Sequence, residues 1–167
     1  VKNPIGKPPS NTLIEELFMT LATVYYQQGD KEKAVIAYQD LLNLLPNNEG
    51  VVLVSGRGLQ QLGANNDAQL LYEKSLIKFP NNPFIHYNLG IVYNQNNELE
   101  RSVAAYRKAL LLDPELSEAL YGLAVSLERQ KSYEQALTTY EQYVRYPEGN
   151  YVAVAQRQIE GLKKHLG

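Results

Sequence analysis

The chain has 167 residues, 44% of them apolar, which suffices to enclose a core in one domain or one short repeat array and argues against a disordered chain. Sixteen Lys and Arg stand against eighteen Asp and Glu, a net charge of -2 with no block of like charge, so no nucleic-acid surface is expected. The absence of cysteine rules out disulfides, thiolate metal sites and thiol nucleophiles, and no apolar run approaches the roughly 20 residues of a membrane span, so direct membrane insertion is not expected.

Residues 1–11 open with "VKNPIGKPPS", whose prolines at 4, 8 and 9 and glycine at 6 cannot continue a helix, and they read as a linker. The expectation is a soluble, cytoplasmic protein, with tethering to a membrane through an upstream segment as the alternative, because the sequence starts at Val1 rather than Met. Thr12 and Glu15 have the spacing of a capping box ahead of an apolar face, which predicts a helix start there.

Beyond that point the chain repeats. Pro46, Pro80 and Pro114 lie 34 residues apart and Pro147 follows after 33, each behind a helical apolar pattern. A shift of 34 aligns "YYQQGDKEKAVIAYQDLLNLLP", "LQQLGANNDAQLLYEKSLIKFP" and "YNQNNELERSVAAYRKALLLDP", with "LERQKSYEQALTTYEQYVRYP" one residue short. Counted from Glu15, Glu49, Pro83 and Ser117, the eighth residue is always small (Ala22, Gly56, Gly90, Ala124), as is the twentieth (Ala34, Ala68, Ser102, Ala136). The twenty-fourth is always tyrosine: Tyr38, Tyr72, Tyr106 and Tyr140. Small residues let two helices approach, and a large ring fills the groove beside them.

This unit resembles the tetratricopeptide repeat, a 34-residue helix-turn-helix. The resemblance implies an all-α fold, a right-handed superhelical solenoid of antiparallel helix pairs. Four repeats would cover about 15–48, 49–82, 83–116 and 117–147 within residues 12–147. At the twenty-seventh position, usually alanine in the family, Ala109 and Ser75 fit but Leu41 and Tyr143 do not, and repeat two carries the polar Ser55 at its seventh. In residues 148–167, Val152, Ala155, Ile159, Leu162 and Leu166 recur at helical spacing and predict a helix that caps the last repeat.

The stretch "VVLVSGRGLQQLG", residues 51–63, looks like a strand running into a phosphate loop. The repeat register instead makes it the first helix of repeat two, and glycines at 56, 58 and 63 fit neither nucleotide-binding fingerprint. If it is helical, Gly58→Ala should stabilise by up to about 1 kcal/mol, provided the extra methyl fits.

No constellation of acid, base and nucleophile emerges, so neither an enzyme nor a cofactor nor a metal site is expected. His86 reads as a core or interhelical residue, and His165 as a partner of the last turn's dipole. The pairs Asn47-Asn48, Asn65-Asn66, Asn81-Asn82 and Asn96-Asn97 fall at helix boundaries and read as turn and cap residues.

Binding remains. The resemblance implies a concave face lined by the first helix of each repeat: Met19, Thr23 and Tyr26, then Leu53, Arg57 and Gln60, then Phe84, Tyr87, Asn88, Ile91 and Asn94, then Tyr121, Val125 and Glu128. That stripe suits a protein or peptide segment with apolar and aromatic anchors, with Arg57 fixing its polarity and Asn88 beside it able to hold a carbonyl or carboxylate. The lysine and asparagine positions with which some family members clamp a chaperone's C-terminal carboxylate are not matched here. The expected function is therefore a non-catalytic scaffold or adaptor, as in an assembly factor. The alternatives are a detached module of a larger enzyme or membrane-anchored protein, a self-associating structural protein, and a groove filled by the chain's own N-terminal linker.

Overall fold

The computed structural model describes residues 11–167, so the linker expected over residues 1–11 lies, apart from Asn11, outside the described residues. Among the described residues there are nine helices and no strand: α1 Asn11–Gln27, α2 Lys31–Leu44, α3 Glu49–Gln61, α4 Asn65–Ser75, α5 Pro83–Gln95, α6 Leu99–Leu112, α7 Ser117–Arg129, α8 Tyr133–Tyr143 and α9 Val152–Leu166.

One residue per unit sets the turn between paired helices. Gly29, Gly63, Asn97 and Lys131, each fifteenth in its copy of the repeat, have φ of 80°, 74°, 63° and 64°. In this left-handed conformation the next residue's N–H turns back on the helix just ended. Asp30 donates to the Tyr25 carbonyl, Ala64 to Leu59, Glu98 to Tyr93 and Ser132 to Leu127, at 2.8–2.9 Å. Starts are marked differently. Asn48 accepts from Val51 N–H at 3.2 Å, and Asn82 from Phe84 and Ile85 N–H at 2.9 and 3.1 Å, with Pro83 following as a first helical residue that has no N–H to satisfy.

Two local expectations are corrected. The chain is already helical at Asn11, so Thr12 lies inside α1 and does not cap it, and the Glu15 carboxylate instead accepts from the Asn48 amide at 2.9 Å. Helix α4 stops at Ser75, well before Pro80. The Ser75 hydroxyl donates to the Leu71 carbonyl at 2.7 Å, and single turns carry the chain onward.

The described residues divide into two compact units, residues 11–64 and 65–167. In the first, α2 packs against both α1 and α3, around the fully buried Ala22, Ala34, Leu41 and Val51. The ring of Tyr38 lies directly over Gly58 of α3, leaving no room for a Cβ there. Gly58 is thus a close-approach glycine within a helix, and the condition on which Gly58→Ala is expected to stabilise, that the extra methyl fits, is not met.

In the second unit each helix packs on the next, from α4 through α9, and α5 also meets α7. Its core joins Tyr106, Ala109, Leu123, Ala124, Leu127, Ala136, Tyr140 and Tyr143 with Ala155 and Leu162 of α9, against which Val152 and Ile159 also pack. Leu166 is the exception on the apolar stripe of α9. At 40% exposed it overhangs the core, because the helix ends there. His86 is half-buried and not a core residue: its Nε2 lies 2.9 Å from the Pro80 carbonyl, closing the turn before α5.

A tyrosine-lined groove as candidate functional site

Residues 65–167 contain a groove of about 270 Å³. Its walls are Tyr87 and Ile91 from α5, Tyr121 and Val125 from α7, and Tyr151 just before α9, with Tyr106 of α6 at its base and Glu118 at one rim. Positions five and nine of the first helices fall on one face because they are one helical turn apart. Tyr106 reaches between these helices only because they carry glycine where it passes. A Cβ at Gly90 would stand 2.8 Å from the ring, and Gly122 leaves no space for one either. The Tyr87 and Tyr106 rings lie 6.0 Å apart at 54°.

The far wall rests on Tyr143. This residue occupies the twenty-seventh position, usually alanine in the repeat, and it is fully buried. Its hydroxyl accepts the Tyr151 N–H at 2.9 Å, and Gly149 gives it space. The loop so held lays the Tyr151 ring on Tyr121, stacked at 4.5 Å and 14°, while Tyr121 also meets Tyr143 at 5.3 Å and Tyr140 at 6.0 Å. Such aromatic pairs each add roughly 0.5–1.5 kcal/mol beyond the area they bury.

Polar groups between the helices brace this arrangement. The Asn94 amide donates to Ser126 Oγ at 2.7 Å, and Ser102 Oγ lies 2.9 Å from Ser126 Oγ and 2.8 Å from the Gly90 carbonyl, joining α5, α6 and α7. The Arg129 guanidinium donates to the Asn94 backbone and side-chain oxygens and to Asn97 Oδ1.

Burial pushes the phenols of Tyr87, Tyr106 and Tyr121 above their ordinary range, with Glu118 and Tyr151 adding to the effect on Tyr87, and Tyr151, Tyr143 and Glu128 to that on Tyr121. All three are therefore uncharged hydrogen-bonding groups on an apolar wall through neutral pH.

Of the residues anticipated for binding, the structure brings Tyr87, Ile91, Asn94, Tyr121 and Val125 together here. Asn94 lines the groove but its amide is committed within the fold. Three others are corrected. Asn88 is buried, and its amide donates to the Phe84 carbonyl at 2.7 Å, so it cannot hold a ligand carbonyl. Glu128 accepts from Tyr140 at 2.8 Å and faces the Gln158 amide at 3.4 Å, tying α7 to α8 and α9. Phe84 is 46% exposed and lies off the groove.

Met19, Thr23, Tyr26, Leu53, Arg57 and Gln60 belong to the first unit. There Met19, Tyr26 and Arg57 are exposed, Leu53 is half-buried, and Thr23 donates to the Met19 carbonyl at 2.8 Å. Tyr106, Glu118 and Tyr151 were missed as a set. Glu118 shares the helix position of Phe84 and Tyr106 belongs to the packing signature, but Tyr151 falls after the last repeat and has no register position to announce it.

Profiles of the tetratricopeptide repeat match residues 15–48, 71–104 and 95–150. The chain belongs to the tetratricopeptide repeat family. Over 110 residues it is 33% identical to Protein CTR9 homolog of Arabidopsis thaliana, covering 64% of this chain but only 10% of that one. The chain thus spans a small part of that relative's length. Among solved structures, a crystal structure of MamA superposes with a TM-score of 0.74 at 22% identity, covering 87% of this chain and 84% of that one. The first tetratricopeptide module of Spaghetti (RPAP3), solved with the HSP90 peptide SRMEEVD, gives 0.64 at 18% identity over 70% of this chain and 90% of that one. At these identities the superpositions establish the all-α tetratricopeptide fold of this protein.

Among the described residues no group of three His, Asp or Glu could hold a metal ion, and no helix is long and apolar enough to cross a membrane.

Proposed function

We propose that this tetratricopeptide repeat protein is a non-catalytic interaction module whose groove in residues 65–167 receives an extended segment of another protein. The observation that carries the reading is the groove itself. Tyr87, Ile91, Tyr121, Val125 and Tyr151 leave ring and methyl surface half-exposed on a braced scaffold, where an apolar side chain can be desolvated. Because glycines and buried hydrogen bonds fix the walls, little ordering is required of the receptor when a segment docks. The peptide-bound structure of the Spaghetti module supports the reading by precedent within the family.

The test uses a pool of capped random heptapeptides, selected on the intact chain and on a variant carrying Ile91→Gln with Tyr151→Ala. Tyr151 is chosen because it is 46% exposed, whereas truncating Tyr121 would open the core against Tyr140 and Tyr143. Recovered peptides should bind the variant at least tenfold more weakly while the helical circular dichroism stays the same. Equal affinity for both proteins refutes the groove as the binding site.

A further inference from the structure

The polarity of the groove carries a step further, one that rests on the reading above. Its residues present four tyrosines and one carboxylate, Glu118, and include no lysine or arginine. The nearby cation, Arg129, is spent on Asn94 and Asn97. Arg57, which the repeat pattern suggests as the fixing charge, belongs to the first unit.

Aromatic faces attract cations through the ring quadrupole, and they do so best where water is partly excluded, as it is beside the half-buried Tyr87 and Tyr121. An acidic segment or a free C-terminal carboxylate would meet the opposite: no lysine or arginine among the groove's residues to pair with, and Glu118 at the rim. We infer that the groove selects a protein segment by a cationic side chain, arginine or lysine, laid against Tyr87, Tyr121 and Tyr151 with its charge towards Glu118.

Glu118 is exposed in the first turn of α7, so its contribution is that of a rim charge, modest and sensitive to salt. The aromatic faces supply the remainder, which salt reduces less.

The experiment fixes the central residue of the capped heptapeptide pool as arginine, lysine, citrulline or glutamate. Binding is measured at low and high salt with ring-labelled tyrosine resonances as the reporter. The arginine and lysine pools should bind at least threefold more tightly than the citrulline pool at low salt, shifting Tyr87, Tyr121 and Tyr151. The glutamate pool should be weakest. Glu118→Gln should reduce the cationic preference at low salt without removing it, leaving the helical spectrum unaltered.

A citrulline pool that binds as well as the arginine pool, while Ile91→Gln with Tyr151→Ala still abolishes binding, overturns the charge preference and leaves the groove in place. A cationic preference that Glu118→Gln does not diminish also overturns it. Failure of every pool to shift the groove tyrosines overturns both this inference and the function on which it rests.

Discussion

At the scale of single residues, the repeat is held by what is missing from a side chain as much as by what is present. Gly58 sits inside α3, where alanine would be the better helix former, yet the Tyr38 ring occupies the space of its Cβ. Propensity offers at most about 1 kcal/mol in favour of Gly58→Ala, whereas forcing an atom into a packed contact costs typically 1–3 kcal/mol, so packing wins. Gly58→Ala should lower the urea midpoint, and a raised midpoint would show that Tyr38 swings aside freely. The opposite logic applies at Lys131, an exposed residue held at φ 64° where two of the other copies carry glycine. A Cβ in this conformation costs about 1 kcal/mol. Lys131→Gly should therefore stabilise the chain by several tenths to about 1 kcal/mol in chemical denaturation, after the greater freedom of glycine in the unfolded chain is deducted.

At the scale of elements, polar clasps between helices fix how each one sits on the next. Tyr140 is fully buried on α8, and its hydroxyl donates to Glu128 on α7, which also faces Gln158 on α9. Burial, and then this bond to a carboxylate, raise its phenol well above the ordinary range, as burial does for Tyr106. The folded chain therefore keeps protons that the unfolded chain releases above pH about 10. Stability is fully present below that pH and falls as pH rises through it. Tyr140→Phe should cost about 1.5 kcal/mol at neutral pH by removing a hydrogen bond to a charged group. It should also make the alkaline loss shallower, and urea unfolding at a series of pH values separates the two effects. An unchanged alkaline slope would assign the titration to other tyrosines. Four of the helix ends were legible in the sequence, because Asn48, Asn82, Gly29 and Gly63 do local work that local pattern reports. The early end of α4 was not, since apolar residues continue to Phe79 while single turns replace the helix after Ser75. Half of the groove was legible for the same reason: Tyr87 and Tyr121 follow helical spacing, whereas Tyr151 depends on Tyr143 holding a loop eight residues away. Asn88 and Glu128 have the right spacing for a groove, but the side-chain bonds that withdraw them form only in three dimensions.

At the scale of the whole molecule, a chain of stacked repeats grows by contacts between neighbours in sequence, which leaves the last pair with an apolar face to cover. In residues 65–167 that face is made by Tyr140 and Tyr143 with Leu123 and Leu127, and α9 closes it with Ala155 and Leu162, assisted by Val152 and Ile159. Fully burying a large aliphatic side chain is worth roughly 1.5–3 kcal/mol, so one full and two partial burials make α9 a contribution of about 4 kcal/mol. The ion pair between Lys163 and Glu141, at 2.8 Å, adds little, because both groups are largely in solvent. Leu162→Ala should accordingly cost about 2–3 kcal/mol, near the lower end for buried leucines because the site lies at the end of the stack and can partly collapse. Removal of residues 152–167 should cost more and expose the tyrosine face, read as a lower thermal midpoint together with binding of a hydrophobic dye at room temperature. The groove should respond in step, because Tyr151 sits between the held loop and the first residue of α9. If α9 only covers the stack, Leu162→Ala will lower the melting temperature and leave peptide affinity unchanged well below it. If α9 also sets the position of Tyr151, affinity will weaken several-fold at temperatures where the helices are still intact. The second outcome is expected, since the Tyr151 carbonyl accepts the Ala155 N–H at 2.8 Å and makes the groove wall the first link of the capping helix.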